Sequence, residues 1–518
     1  MADDSRKLFH GAVILAIAGL ISKVLSVGYR VPLQNITGDV GFYIYQQVYP
    51  MIGIISMLAL YGFPVAISRY ITLSTEEKKG GNDLFPIFLV LSFLSIPLFA
   101  FVYFESDVIA QWMGDSNLSL PIRVGSFSIL LLPFTSIVRG YFQGMGDMKP
   151  TAYSQLIEQF VRVSFIIIVT YVLMKRGMEL YVVGAGAALG SFFGGAAAII
   201  FLLIAVRKKM KGKAFLFRKT KTSLFLLVKI ILIYGIYSSL NHMVLLLFQF
   251  VDAFTVLPSL KVYGFNLEEA RIWKGIYDRS YPLLQVGTVV GSSIGLALVP
   301  TVSAHFRHKE KEKLANQFSS TLKLGFIFGA GASGGLIFIM PYVNQMLFET
   351  TDGTNALQIM GLVILFQTLT LTMSSVLYGI GKMRGSAFLV LGSIPFKIIL
   401  NMIFIPLIGI MGASLATVIV SFLLFVGHSI LIFKELGRPK RKFPVFGIGV
   451  ALLTMVSFLL FIQWTLPDVI SRGQATLVAI TLTLFGGALY YMMLVRLHCF
   501  TNEELNHLPR GLKGGKNK

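Results

Sequence analysis

Fourteen stretches of this chain are each apolar for long enough to cross a lipid bilayer as a helix. They fall near 8 to 30, 42 to 68, 84 to 104, 121 to 145, 151 to 174, 181 to 206, 222 to 250, 274 to 304, 318 to 341, 355 to 379, 386 to 406, 410 to 433, 444 to 466 and 474 to 496. A hydrocarbon core of roughly 30 Å is spanned by about twenty helical residues. Inside lipid every backbone N–H and C=O must find its partner within the protein, so such runs are expected as helices and not as open strands. The pattern predicts an all-α polytopic membrane protein of about fourteen transmembrane helices.

The composition supports this reading. Of 518 residues, 55% are hydrophobic and only 13% charged, too few charges for a surface that faces water. The formal net charge of +21 would suit a nucleic-acid partner, yet Lys and Arg cluster in the short connections between apolar runs, so membrane topology accounts for them and no nucleic acid is expected. The single cysteine, Cys499, excludes an internal disulfide or a cysteine metal cluster. Arg6 and Lys7 precede a run that continues past Ile21 without a small-residue cleavage site, which reads as a first spanning helix and not as a cleaved signal.

Charge alternates from one connection to the next. The N-terminus, the even-numbered connections (Lys78 and Lys79; Lys149; 207 to 221; Arg307 to Lys313; Lys382 and Arg384; Arg438 to Lys442) and the C-terminus are basic. The connections around Asp39, around Asp107 and Asp115, and around Glu349 and Asp352 are acidic, with Lys175 and Arg176 the exception. Basic loops stay in the cytoplasm, so both termini are expected there and the helix count is even.

An internal repeat divides the chain. FQGMGDMKPTAY from Phe142 aligns with LYGIGKMRGSAF from Leu377 at an offset of 235 (377 − 142), which also pairs Arg162 with Lys397. Two six-helix lobes follow, 1–206 and 222–434, joined by a basic cytoplasmic linker at 207–221; helices in 435–497 are appended, and 498–518 is a basic tail.

Ionisable residues within spans are costly and are functional candidates by default. Lys229 and Lys323 lie near cytoplasmic ends and can snorkel, so they are set aside. Lys23 and Arg30 are seven residues apart on one face of the first helix and form a basic stripe. Glu158 precedes Arg162 by four residues, the favourable order for an intrahelical pair, whereas Lys397, with Asn401 one turn on, is expected to have no carboxylate nearby to neutralise it. Asp278 and Arg279 open a Gly- and Ser-rich eighth run, where Asp278 can pair with Arg279 or Lys274. Asn241, His242, Gln249 and Asp252 add polarity to the seventh. No Walker A loop, zinc signature, nucleophile elbow or dinucleotide fingerprint is present, so neither an enzyme nor a cofactor or metal is expected.

With these residues in view, SKVLSVGYR in the first helix, YDRSYPLLQVGTVVGSSIGLALVPTVSAHF in the eighth and the six-plus-six-plus-two plan resemble the lipid II flippases and stage V sporulation protein B-like polysaccharide transporters of the multidrug/oligosaccharidyl-lipid/polysaccharide exporter superfamily. The resemblance implies a bacterial plasma-membrane flippase in which basic residues line a central cavity for a lipid diphosphate. By motif these are Lys23 and Arg279, with Arg30 about one position out of register. It also implies that the last two helices form a groove for a polyprenyl tail. Where lipid II flippases carry further Arg after a Pro in the second helix, this chain reads YPMIGIISML from Tyr49.

The expected function is translocation of an undecaprenyl-diphosphate-linked saccharide for peptidoglycan or another envelope polysaccharide, in contact with membrane lipids and other envelope-synthesis proteins. Coupling to membrane potential, H+ or Na+ stays open. The expected substrate-binding set is Lys23, Arg30, Arg162, Arg279 and Lys397, supported by Asp278, Glu158 and Asn401. The competing readings are a cation-coupled multidrug exporter, which calls for carboxylates in the spans, and a membrane glycosyltransferase or polysaccharide ligase, which calls for a catalytic outer loop.

Overall fold

The computed structural model describes residues 2–76, 84–210, 227–289, 302, 311–437, 443–466 and 471–501. The basic linker from 211 onward, the tail from 502 and the eighth run beyond 289 lie outside the described residues, apart from Val302. In chain order the helices are α1 (Ala2–Gly28), α2 (Arg30–Met57), α3 (Phe63–Glu76), α4 (Phe85–Phe104), α5 (Ser106–Trp112), α6 (Ser119–Gly125), α7 (Leu132–Gly144), α8 (Lys149–Lys175), α9 (Leu180–Met210), α10 (Gly235–Leu240), α11 (Val244–Tyr263), α12 (Leu267–Asp278), α13 (Ser280–Gly287), α14 (Lys311–Phe348), α15 (Thr354–Gly379), α16 (Met383–Ile408), α17 (Ile410–Leu436), α18 (Val445–Thr465) and α19 (Arg472–Arg496).

Twelve helical stretches among the described residues are long and apolar enough to cross a membrane. One of them, Ile17–Thr72, contains the latter part of the first apolar run and all of the second, and the chain doubles back between them at Gly38. There φ is 69° and ψ −174°, a backbone state open to glycine and strained for other residues. The reversal brings the hydroxyls of Tyr29 and Tyr45 to 2.7 Å, although sixteen residues of straight helix would hold them about 24 Å apart.

Two π-turns interrupt the helical ladders, Leu58–Gly62 between α2 and α3, and Lys229–Tyr234 before α10. The first meets α10: a Cβ placed on Gly62 would stand 2.8 Å from the Gly235 carbonyl oxygen, so this crossing admits nothing larger than glycine without movement.

The seventh run corrects the sequence boundaries. It is split at residues 241 to 243, and α11 continues to Tyr263, thirteen residues past the expected end. The connection left between the seventh and eighth runs, after 250 and before 274, is therefore mostly helix, with α12 started by a reciprocal capping box between Asn266 and Glu269. Asp252 moves from a helix end into the buried interior of α11.

The described chain comprises two compact units, Met1–Val289 with Gly381–Val420, and Val290–Ile380 with Ser421–Lys518. In the first, α8 packs along α9 and α1, α3 along α7, and α11 along α16. In the second, α14 packs along α15 and α19, with Val302, Phe318, Met373 and Ile432 among its core residues. Burial is inverted relative to a water-soluble protein: Arg30, Arg139 and Arg279 are among the largest fully buried side chains, whereas Phe93, Phe446 and Trp464 are more than four-fifths exposed. Apolar residues outside and cations inside are what a bilayer solvent selects.

Candidate functional site

The charged side chains of the first unit gather in its interior as a set of ion pairs with cations left over. Lys274 donates to both carboxylate oxygens of Asp278, at 2.6 and 2.7 Å, one helical turn along α12. Arg279, at the joint between α12 and α13, directs Nε (3.0 Å) and Nη2 at one oxygen of Asp39, just past the Gly38 reversal. Lys397 of α16 lies 2.9 Å from Asp252 of α11, and both are fully buried.

Two expectations about pairing are overturned. Glu158 forms its contact ion pair with Arg139 of α7, at 2.7 Å, and not with Arg162; the Arg139 Nε also donates to Ser154 at 3.0 Å. Arg162 instead donates to Gln159. Lys397 does have a carboxylate beside it, supplied across helices by Asp252. Of the alternatives open to Asp278, it takes Lys274, which leaves Arg279 to Asp39.

Arg30 is different. It is 0% exposed, yet Nε, Nη1 and Nη2 all lack a hydrogen-bond acceptor. Its guanidinium lies 4.4 Å from the ring centre of Tyr49, a cation–π contact, and the nearby hydroxyl of Tyr29 supplies polarity without meeting hydrogen-bond geometry. Arg162 is buried within electrostatic reach of the same Tyr29, Tyr45 and Tyr49, and its Nε also lacks an acceptor. Lys23 is half-buried and lies within reach of His242, which stacks on Tyr61.

Lys274, Arg279, Lys397 and Arg139 are thus matched by Asp278, Asp39, Asp252 and Glu158, whereas Arg30 and Arg162 form no contact ion pair among the described residues. The surplus is positive, and its least satisfied member is a buried Arg, the side chain whose planar fork matches phosphate oxygens.

A second cluster, within the same unit, forms around Asp115. Asp115, at the start of a short 3-10 turn, accepts from Arg271 (2.8 and 2.9 Å), from Tyr181 (2.7 Å) and from Tyr43 (3.1 Å). Burial works against its charge, but the hydrogen bonds from Arg271 and Tyr181 outweigh that and hold its carboxyl below the ordinary Asp value. Residues 39 and 115 are in this way tied to residues 279 and 271 from beyond the basic linker.

Sequence reasoning missed Asp39, Arg139 and Asp252 as members of these pairs. For Asp252 a signal existed, a carboxylate inside the apolar VLLLFQFVDAFTVL; for Arg139 there was none beyond its place in the fourth apolar run.

Residues 8–306 match the family model described as polysaccharide biosynthesis protein. Over 514 residues the chain is 40% identical to the uncharacterized membrane protein YabM of Bacillus subtilis (strain 168), covering 98% of this chain and 96% of that one. The chain belongs to the polysaccharide biosynthesis protein family. It is 23% identical, over 556 aligned positions and 99% of each chain, to the lipid II flippase MurJ of the same organism. The solved structure of a lipid II flippase MurJ in an inward closed conformation superposes with a TM-score of 0.67 at 16% identity, covering 93% of this chain and all of that one, which shows a shared fold. This polysaccharide biosynthesis family member is therefore a multi-pass transporter of the flippase branch of the exporter superfamily that its sequence resembles.

Proposed function

We propose that this protein is a flippase that carries an undecaprenyl-diphosphate-linked saccharide, a precursor of peptidoglycan or of another envelope polysaccharide, across the bacterial cytoplasmic membrane by alternating access. The observation that carries the reading is Arg30, a buried guanidinium with three nitrogens that lack acceptors. A buried charge with no hydrogen-bonded counter-charge is costly. A diphosphate entering the tyrosine cluster would satisfy Arg30 and Arg162 together, with Lys23 on the same face of the first helix. Arg279 and Lys397 act in this scheme through Asp39 and Asp252, setting the helices around the anion and not gripping it.

In the topology read from charge, with both termini cytoplasmic, the pairs Asp39–Arg279 and Asp115–Arg271 close the outer end. The anion would enter from the cytoplasmic side and leave once those pairs part. A cation-coupled exporter would need an open carboxylate, and Asp39, Asp252, Asp278 and Glu158 each have a basic neighbour in contact.

The test is leaflet exchange of labelled undecaprenyl-diphosphate-linked saccharides in proteoliposomes. Loss of one or two charge-assisted bonds predicts that Arg30→Ala weakens substrate engagement by about ten- to a hundredfold, with part of the loss restored in Arg30→Lys. Exchange that is indifferent to Arg30→Ala, or wild-type protein that moves no diphosphate lipid offered, would overturn the reading.

A further inference from the structure

The ammonium of Lys397 sits in a shell that an ordinary ion pair does not require. Nζ is 2.9 Å from the Asp252 carboxylate, 3.1 Å from Asn401 Oδ1, 2.6 Å from Thr417 Oγ1 and 3.4 Å from the Ala413 carbonyl oxygen. Three helices contribute, α11, α16 and α17, and the four side chains involved are all fully buried. Carboxylate, amide, hydroxyl and backbone carbonyl oxygens are the donor types that a hard cation collects.

The shell is also oriented in advance. Asn401 gives its amide protons to Asp252 (2.7 Å) and Thr255 (2.8 Å), which turns its oxygen toward Nζ. Thr417 donates to the Ala413 carbonyl at 2.8 Å and also lies 3.1 Å from the Tyr277 hydroxyl, so its oxygen is held in place beside the ammonium. Such outer hydrogen bonds aim ligands at a cation's position whether the cation is free or tethered. The close oxygens stand 2.6 to 3.1 Å from Nζ and only one of the four donors is charged, and a single carboxylate among neutral oxygens balances a monovalent cation and not a divalent one. On its far side Asp252 accepts from the hydroxyls of Tyr277 (2.8 Å) and Tyr281, so the charge at the centre of the shell also fixes α12 and α13, which carry Lys274, Asp278 and Arg279.

We propose that Lys397 is a tethered cation: its ammonium occupies a monovalent-cation site built from Asp252, Asn401, Ala413 and Thr417, and so holds these helices together without taking up Na+ or K+ from solution. Shortening the side chain opens that site to soluble ions. The position is then the one that decides whether the chain depends on a metal ion.

Thermal unfolding of purified full-length protein tests this whatever the transported molecule is. A cation that binds only the folded state raises the unfolding temperature, so Lys397→Ala in about 100 mM NaCl or KCl should unfold several degrees higher than in N-methylglucamine chloride of equal ionic strength. Wild type should show no such difference, and adding Asp252→Asn to Lys397→Ala should abolish the response. The proposal falls if wild type already shows the cation-specific rise, or if folded Lys397→Ala shows none. Should neither Lys397→Ala nor Lys397→Ser fold in any of the three salts, it falls as well, because a cation-competent shell would recover at least one of them.

Discussion

Replacing Asp115 by Asn tests the most connected ion pair outside the spans. The carboxylate is 1% exposed and accepts from Arg271, Tyr43, Tyr181 and the Asn117 backbone. Asn keeps the shape, but it loses the charge and turns an NH2 group toward donors. Two charge-assisted bonds to Arg271 disappear or weaken, each of a kind that contributes about 1.5–3 kcal/mol. Arg271 is 16% exposed and can turn to water, which keeps the net loss near 2–4 kcal/mol, below the roughly 3–5 kcal/mol expected for a fully buried pair. Arg271→Met should cost less, about 1–3 kcal/mol, since Tyr43, Tyr181 and Asn117 still serve the carboxylate. The double variant should lie well short of the two losses combined.

The assay is unfolding in detergent as a function of pH and salt. Because the folded carboxyl titrates below its unfolded value of about 3.9, its contribution is complete at higher pH and is lost as pH falls through the folded value. The gap between wild type and Asp115→Asn should therefore stay constant from about pH 8 to about pH 5 and narrow below about pH 4. Burial also makes it largely insensitive to salt. A gap under about 0.5 kcal/mol, or one that high salt erases, would show an exposed pair of the ordinary surface kind and refute the reasoning.

Two other outcomes are expected. Arg139→Ala strands Glu158, 13% exposed, and should lower stability by about 2–4 kcal/mol, whereas Arg162→Ala breaks one bond to Gln159 and should lose transport with little loss of stability; unfolding midpoints set beside leaflet exchange separate the two. With a surplus of buried positive charge, collapse of the membrane potential should slow return of the empty carrier, since about 2.3 kcal/mol acts per charge per 100 mV; equal exchange rates in energised and de-energised vesicles would refute that step.

Much of the fold was legible because lipid imposes length and apolarity on each run, and those are local properties. The Gly38 reversal followed from where two runs are separated by an acidic connection. What escaped was pairing across helices. Glu158 with Arg162 has ideal sequence spacing, yet α7 brings Arg139 closer, and spacing along one helix carries no information about its neighbour. Asp252 was misplaced because the seventh run breaks at residues 241 to 243 and resumes, so a single apolar window ended it too soon. The candidate set contained Arg30, but burial without acceptors is a property of packing, which hydropathy does not report.

The approach of Gly62 to α10 has a mechanical consequence. The Gly62 backbone rests on the Gly235 carbonyl, with Ser238 donating to the Gly62 carbonyl at 3.4 Å, so the first π-turn and α10 meet at a narrow contact of backbone and small side chains. At about 1.5 Å per residue Gly62 stands about 36 Å along the helix from Gly38, so a rotation of about 10° there would carry Asp39 through about 6 Å. That exceeds the reach of its bond to Arg279. A rotation about that contact would therefore be enough to part Asp39 from Arg279.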